Sequence, residues 1–398
     1  MVKKIKILTS FFPPEKGAAS HRILTTAKEL SFYGFDVSVI TTLANYPTGR
    51  LFDGYRNMLF KKEKINGIHC VRCWVYPSNS NNPIVRILSM LSYCFSLFFL
   101  IPSLLLNKPH IMIIQTPPLL PAFTGVLISK LLRIKVVLNV SDIWPLTAVE
   151  LGVMHHKSSL FKLFTAIENI MYRFSDAMIG QSYETCSYLK QKSKKPIFLY
   201  RNLTKPNFSQ VDNSKVSNTK KKIVYAGLLG LAQGLFNICN YIDFRSLEIE
   251  FHIYGDGIER KLIENFIEKK PECNIFLHKT LSKDKMQSKL LSYDATIIPL
   301  TKNIYGAFPS KITMAIAAGL PIFFSGDGEG FKIVNEFKLG YVSAAGELNA
   351  LEKNIKNFSK LNKQQINNMK LNIMNVVNKE FNYSDQQLEL CKFISSLI

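Results

Sequence analysis

Ile5-Lys6-Ile7-Leu8-Thr9-Ser10, then Phe11-Phe12-Pro13-Pro14-Glu15-Lys16-Gly17-Ala18-Ala19, then a run from Ser20 to Tyr33 that stops at Gly34 and leads to Val37-Ser38-Val39-Ile40-Thr41: this stretch decides the fold. The first piece is a short apolar run and reads as a strand. The prolines break it, and 20–33 reads as a helix ended by Gly34. A second apolar run follows. Strand, helix, strand is a βαβ unit, and its crossover requires the two strands to be parallel. Ile111–Gln115, Val136–Val140 and Ala177–Gly180 are further strand candidates between helical stretches. The pattern predicts a doubly wound α/β domain over residues 1–208.

A polar connector at 209–221 separates this domain from a second round of the same alternation. Ile223–Gly227, Ile249–Tyr254 and Ala295–Pro299 read as strands. Ser310–Gly319 reads as a helix with small residues on one side, ended by Gly-Leu-Pro and followed by a strand at Ile322–Ser325. A second doubly wound domain is expected over 222–375, and one amphipathic helix over 376–398. The halves match in architecture and not in letters.

The net charge of +21 and the pI near 9.5 imply an anionic partner: a nucleic acid, a membrane surface or a phosphorylated substrate. Part of the excess is also what a Lys- and Asn-rich composition gives. Residues 1–200 carry 24 Lys and Arg against 10 Asp and Glu, so the first half holds most of the charge. A nucleic-acid binder is set aside because the chain has no basic patch interleaved with aromatics and no recognised module. The seven cysteines are too scattered for a disulfide framework, which fits a reducing cytoplasm. Cys70-Val71-Arg72-Cys73 has zinc-ligand spacing without a second pair, and its alternating context reads as a strand. The apolar run after Lys3, Lys4 and Lys6 is too short for a signal peptide.

Ile87–Leu106 holds no charge and is long enough to cross a bilayer. A span would put two strands of one sheet on opposite sides of the membrane. The expectation is a helix near 84–106 docked on the first domain and facing the bilayer interface, with an ordinary buried helix as the alternative.

Three turns at strand ends carry candidate chemistry. The small residues of Glu15-Lys16-Gly17-Ala18-Ala19 allow close approach to a phosphate or sugar, or make a tight turn. Asp142 follows the strand ending at Val140 and can serve a site or cap a helix. Gly255-Asp256-Gly257 can bound a nucleobase pocket or simply turn the chain.

Taken in order, these segments resemble the family 4 glycosyltransferases of bacterial surface polysaccharide synthesis. The resemblance rests on Phe11–Gly17, Asn45-Tyr46-Pro47-Thr48-Gly49-Arg50, Asp142-Ile143-Trp144-Pro145 and Tyr200-Arg201-Asn202 in the first half. In the second it rests on Tyr225–Leu235, Gly255-Asp256-Gly257, Pro309-Ser310-Lys311 and Ser325–Gly330. Asn-Tyr-Pro-Thr-Gly and Ala-Gln-Gly are similar to a subgroup that transfers N-acetyl-L-fucosamine or fucose. The resemblance implies a GT-B fold with two Rossmann-like domains facing a cleft, no metal, no cofactor and retention of anomeric configuration. It implies a UDP-linked sugar donor, an undecaprenyl-diphosphate-linked saccharide acceptor and an enzyme peripheral on the inner face of the cell membrane. The final helix is implied to cross back to the first domain. Site candidates are Asp142, Lys311 and Glu15 for catalysis. Gly17, Ala18, His21, Asn202, Gly227, Gly230, Gln233, Gly255, Gly257, Ser310 and Met314 are the candidates for substrate binding.

The chain departs from the family where two glutamates eight positions apart are usual: Gly306 and Met314 stand there. Leu228 and Gln233 replace the family's two diphosphate cations. Lys311, at a helix N-terminus, is the remaining cation for the leaving group. A catalytically weakened scaffold is the alternative function.

Overall fold

The computed structural model describes residues 2–80, 82–207 and 220–398. The expected connector at 209–221 lies outside the described residues up to 219, and Lys221 already opens a strand. Two units emerge: unit 1 comprises residues 1–201, 305–307 and 384–398, and unit 2 comprises 202–304 and 308–383.

Unit 1 is built on β1 (Lys4–Leu8), β2 (Asp36–Thr42), β3 (Phe60–Ile65), β4 (Ile68–Cys73), β5 (Ile111–Thr116), β6 (Lys135–Val140), β7 (Ala177–Gly180) and β8 (Ile197–Leu199). Their order is β3-β4-β2-β1-β5-β6-β7-β8. Only β3 pairs antiparallel, to β4. Every residue of β5 is buried, as a parallel strand with both faces covered requires. Its alternate residues feed two cores: Met112 and Ile114 point to one, Ile111 and Ile113 to the other. The second core is completed by Leu390, Cys391 and Ile394 from the helix Tyr383–Ser396.

Unit 2 is built on β9 (Lys221–Ala226), β10 (Ile249–Tyr254), β11 (Ile275–His278), β12 (Ala295–Pro299), β13 (Ile322–Ser325) and β14 (Gly340–Ser343). Their order, β11-β10-β9-β12-β13-β14, is all parallel. Counted within the unit this is 3-2-1-4-5-6, the dinucleotide-fold order. Both units are therefore Rossmann-like.

Sequence reading misses β3, β8, β11 and β14. β3 is Phe-Lys-Lys-Glu-Lys-Ile on a half-exposed edge, where charges hide the alternation. The other three hold three or four residues each. Two expected helices are each divided. The segment near 84–106 becomes the helices Pro83–Phe98 and Ile101–Leu106, because Pro102 lacks an N–H and its ring would clash within a continuous helix. The expected helix 376–398 is instead the end of Lys363–Glu380 followed by Tyr383–Ser396. Among the described residues no helix is long and apolar enough to cross a membrane. On Pro83–Phe98, Tyr93, Cys94 and Leu97 face the core, while Ile84, Leu88, Leu91, Phe95 and Phe98 are exposed.

Candidate functional site

In unit 1 the candidates gather at the carboxyl edge of the sheet. The chain leaves β1 through Phe11–Gly17 and enters the helix Ala18–Phe32, whose first turn is closed by His21 N–H donating to Gly17 C=O at 3.1 Å. Ala18 is exposed and His21 half-buried. Glu15 is buried at 3% exposure. Its Oε1 accepts from the N–H of Asn45 at 2.8 Å and of Tyr46 at 2.9 Å, and its Oε2 from the N–H of Phe12 at 3.2 Å. Burial lifts its pKa above the usual carboxylate value against the pull of these three donors. Glu15 thus ties the Phe11–Gly17 turn to the segment starting at Asn45.

Arg72 on β4 adds a second tie. It is fully buried, donates to Thr42 C=O at 2.9 Å and to Pro13 C=O, and pairs with Glu63. Tyr55 donates to Glu63 at 3.1 Å. Neither Arg72 nor Glu63 stands out in the sequence, since a strand arginine reads as a surface residue.

Asp142 lies beyond β6. Burial lifts its pKa, and the Arg22 guanidinium pulls it back down. Arg22, one turn into the helix Ala18–Phe32, also donates to Gln181 Oε1 at 2.9 Å and Ser141 Oγ at 3.2 Å. Gln115, Asn139 and Gln181 complete the network: Asn139 donates to Gln115 Oε1 at 2.8 Å and Gln181 donates to Ser141 Oγ at 2.6 Å. Sequence reasoning found Asp142 and missed Arg22, Gln115, Ser141 and Gln181. The available signal was a polar residue at the carboxyl end of three successive apolar strands.

Gly306, counted with unit 1, has φ +83. Its C=O accepts from Ser182 Oγ at 2.8 Å and Thr185 Oγ1 at 3.0 Å, and its N–H donates to Glu184 at 2.9 Å. A Cβ there would stand 2.7 Å from Ile143 Cδ1 and 2.9 Å from Thr185 Oγ1, so these side chains fill the space a larger residue would need.

In unit 2 the turn after β9 and the turn after β10 are pressed together. Gly227 N–H donates to Tyr254 C=O and Leu229 N–H to Asp256 C=O, each at 2.9 Å. A Cβ on Gly255 would fall 2.0 Å from Gly227 O, and one on Gly257 would fall 2.5 Å from Leu229 O, so both positions need glycine. Gly227 also makes room for Lys311: a Cβ would sit 2.4 Å from Lys311 Cε. Lys311 is the second residue of the helix Ser310–Ala317, and its Nζ lies 5.3 Å from the centre of the Tyr225 ring. Burial lowers its pKa from 10.5 to about 8, and among the described residues no carboxylate pairs with it. Gln233 Oε1 is buried with no hydrogen-bond donor among the described residues, and a Cβ on Gly230 would lie 2.9 Å from it. Ser310 is exposed at the helix start. Met314 packs with Val224, Ala226 and Tyr254, so the helix position that faces the sheet is apolar. Asn202 opens unit 2 in the left-handed conformation, φ +52. Gly227, Gly255, Gly257 and Lys311 are brought together directly.

Among the described residues no group of three or more His, Cys, Asp or Glu side chains could hold a metal ion. Cys70 and Cys73 are buried in β4.

Residues 17–192 match the model of the glycosyl transferase 4-like domain, and residues 208–374 that of the glycosyl transferases group 1. No curated protein matches the chain. Among solved structures, it is similar to sucrose-phosphate synthase from Thermosynechococcus elongatus, with 12% identity, TM-score 0.74 and 99% of each chain covered. Anabaena Alr3699/HepE in complex with UDP gives 13% identity and TM-score 0.69, covering 99% of this chain and 100% of that one. WaaG, a glycosyltransferase involved in lipopolysaccharide biosynthesis, gives 12% identity and TM-score 0.68, covering 98% and 99%. At these identities the likeness is one of fold.

Proposed function

We propose that this chain, which belongs to the glycosyltransferases by the two domain models it matches, moves a 6-deoxy-hexosamine of the N-acetyl-L-fucosamine kind from a UDP-sugar to a saccharide on undecaprenyl diphosphate. The reaction serves bacterial surface polysaccharide synthesis on the inner face of the cell membrane. Unit 2 is the donor unit and unit 1 the acceptor unit. The observation that carries this reading is Lys311: an ammonium held against Gly227 and the Tyr225 ring, at a helix N-terminus, with no carboxylate partner among the described residues. A desolvated cation without a counter-ion is unfavourable until an anion arrives, and a sugar-linked diphosphate supplies two negative phosphoryl groups.

The bond from the anomeric carbon to the diphosphate oxygen breaks, and its electron pair leaves with the UDP. The acceptor oxygen bonds to the anomeric carbon on the same face and passes its proton to a diphosphate oxygen, so anomeric configuration is retained. Lys311 and the first N–H groups of its helix stabilise the charge that builds on the leaving group. Asp142, held by Arg22, orients the acceptor in unit 1. Glu15 holds the turn that approaches it. The exposed apolar face of Pro83–Phe98 rests on the membrane that carries the acceptor.

Calorimetric titration with UDP and with uridine tests the donor site. UDP should bind the wild type, and the preference for UDP over uridine should shrink about tenfold or more in Lys311→Ala. Equal UDP binding by both proteins would remove the donor site from this place.

A further inference from the structure

The opposite edge of the unit 1 sheet, where β5 and β6 begin, carries a cavity of about 290 Å³ lined by Lys108, Pro109, His110, Arg133, Lys135 and Ile398. Four of these six side chains are basic. Lys108, His110, Arg133 and Lys135 are all exposed, and none of them forms an ion pair among the described residues. Lys4 N–H donates to His110 Nδ1 at 3.0 Å, which leaves the ring proton on Nε2. Arg133 takes the left-handed conformation, φ +52, at the turn between the helix Leu119–Leu131 and β6. Among the described residues the three longer cations make one side-chain hydrogen bond, Lys135 Nζ donating to Leu397 C=O at 2.5 Å.

Exposed leucines stand two or three residues before two of these cations, although Leu132 and Ile134, next to Arg133 and Lys135, are buried. Leu105 and Leu106, which lead into Lys108, are 59% and 91% exposed, and Leu131, which leads into Arg133, is 73% exposed. A basic concavity beside exposed leucines has the two-part chemistry of a phospholipid: a phosphate for the cations and an acyl chain for the leucines.

We propose that this cavity binds the phosphate headgroup of an anionic phospholipid. The proposal rests on the membrane reading given above and adds a specific headgroup site to it. The site lies at the amino ends of the strands, away from the carboxyl-edge turns that hold Asp142 and Glu15. It is an anchor distinct from the sites assigned to donor and acceptor.

The test is sedimentation of the full chain with phosphatidylcholine vesicles, with and without phosphatidylglycerol. Wild type should prefer the phosphatidylglycerol vesicles. Arg133→Gln with Lys135→Gln should weaken that binding about tenfold or more, with an unchanged circular dichroism spectrum. Lys353→Gln with Lys356→Gln, the same charge loss on exposed residues of unit 2, should leave it intact. Equal loss in both pairs, or no loss in the first, would overturn the pocket while leaving membrane attachment standing. A wild type that sediments with neither vesicle would overturn attachment itself, and the proposal with it. Inorganic phosphate that binds wild type but not the Arg133 and Lys135 variant, and that leaves vesicle binding unaffected, would assign the cavity to a soluble phosphate and overturn the lipid headgroup.

Discussion

The carboxyl edges of the two sheets treat charge in opposite ways. In unit 1 the charged groups are satisfied from within: Glu15 takes three backbone N–H groups, Arg72 faces Glu63 and two carbonyls, and Arg22 reaches Asp142, Ser141 and Gln181. In unit 2, among the described residues, Lys311 stands without a carboxylate and Gln233 Oε1 lacks a donor. A network closed on itself gives shape to a surface. A half-buried cation left open gives affinity for an anion. In the function proposed above, this difference is what gives the diphosphate to unit 2 and the acceptor sugar to the turns of unit 1.

The largest effect should come from the open charge. Lys311→Ala should lower turnover about 10²–10³-fold, the scale of losing one donor to a developing oxyanion, without loss of folded structure by circular dichroism. The same group sets a pH dependence. Its folded pKa of about 8 lies below the ordinary 10.5, so the unfolded chain holds more protons between these values. Stability of the ligand-free protein should therefore rise as pH climbs through that window. UDP affinity should fall above about pH 8, where the free enzyme loses the proton that the diphosphate needs. A flat affinity profile would sever Lys311 from the donor.

Glu15 tests the closed network. Glu15→Ala strands the buried N–H of Phe12 and the part-buried N–H groups of Asn45 and Tyr46, and should cost about 2 kcal/mol of stability in denaturant unfolding. If Glu15 instead reacts, turnover collapses while the unfolding midpoint stays put, and the contrast between the units breaks.

Asp142→Ala should lower turnover by more than about tenfold, or about 1.4 kcal/mol, with unchanged secondary structure. Wild-type turnover in this variant would return Asp142 to a purely structural part.

The smallest effect concerns Glu168, a buried carboxyl in unit 1 that accepts hydrogen bonds from Tyr172 at 2.8 Å and Tyr188 at 3.1 Å. Burial pushes its pKa from 4.5 up to about 7. Between these values the folded state holds the extra proton, so this group's contribution to stability is lost as pH rises through the window. Glu168→Gln should remove that slope and stabilise the protein at pH 8 by about 1 kcal/mol, the scale of a neutral hydrogen-bonded pair. An unchanged slope in thermal unfolding would place the titration elsewhere.

The sequence by itself determined the architecture. Apolar runs at β1, β2, β5, β6 and β7, and again at β9, β10, β12 and β13, alternate with helical stretches, and that alternation compels two parallel sheets. The turns that follow those runs were legible too, because glycine, proline and lone carboxylates stand out against apolar strands. Short or charged strands such as β3 and β11 were not, since their pairing comes from a neighbouring strand and not from their own periodicity. The tertiary structure alone decided what each charge does. Glu15 and Lys311 look alike in sequence, a lone charge in a turn or first helical turn. Asn45 and Tyr46 come from thirty residues away to occupy Glu15, whereas Gly227 and Tyr225 lie against Lys311 and no described residue brings it a carboxylate. The basic cavity likewise exists only because residues 108–110 and 133–135 start adjacent strands. Element formation is local, but the cost of desolvating a charge depends on which distant segments close over it.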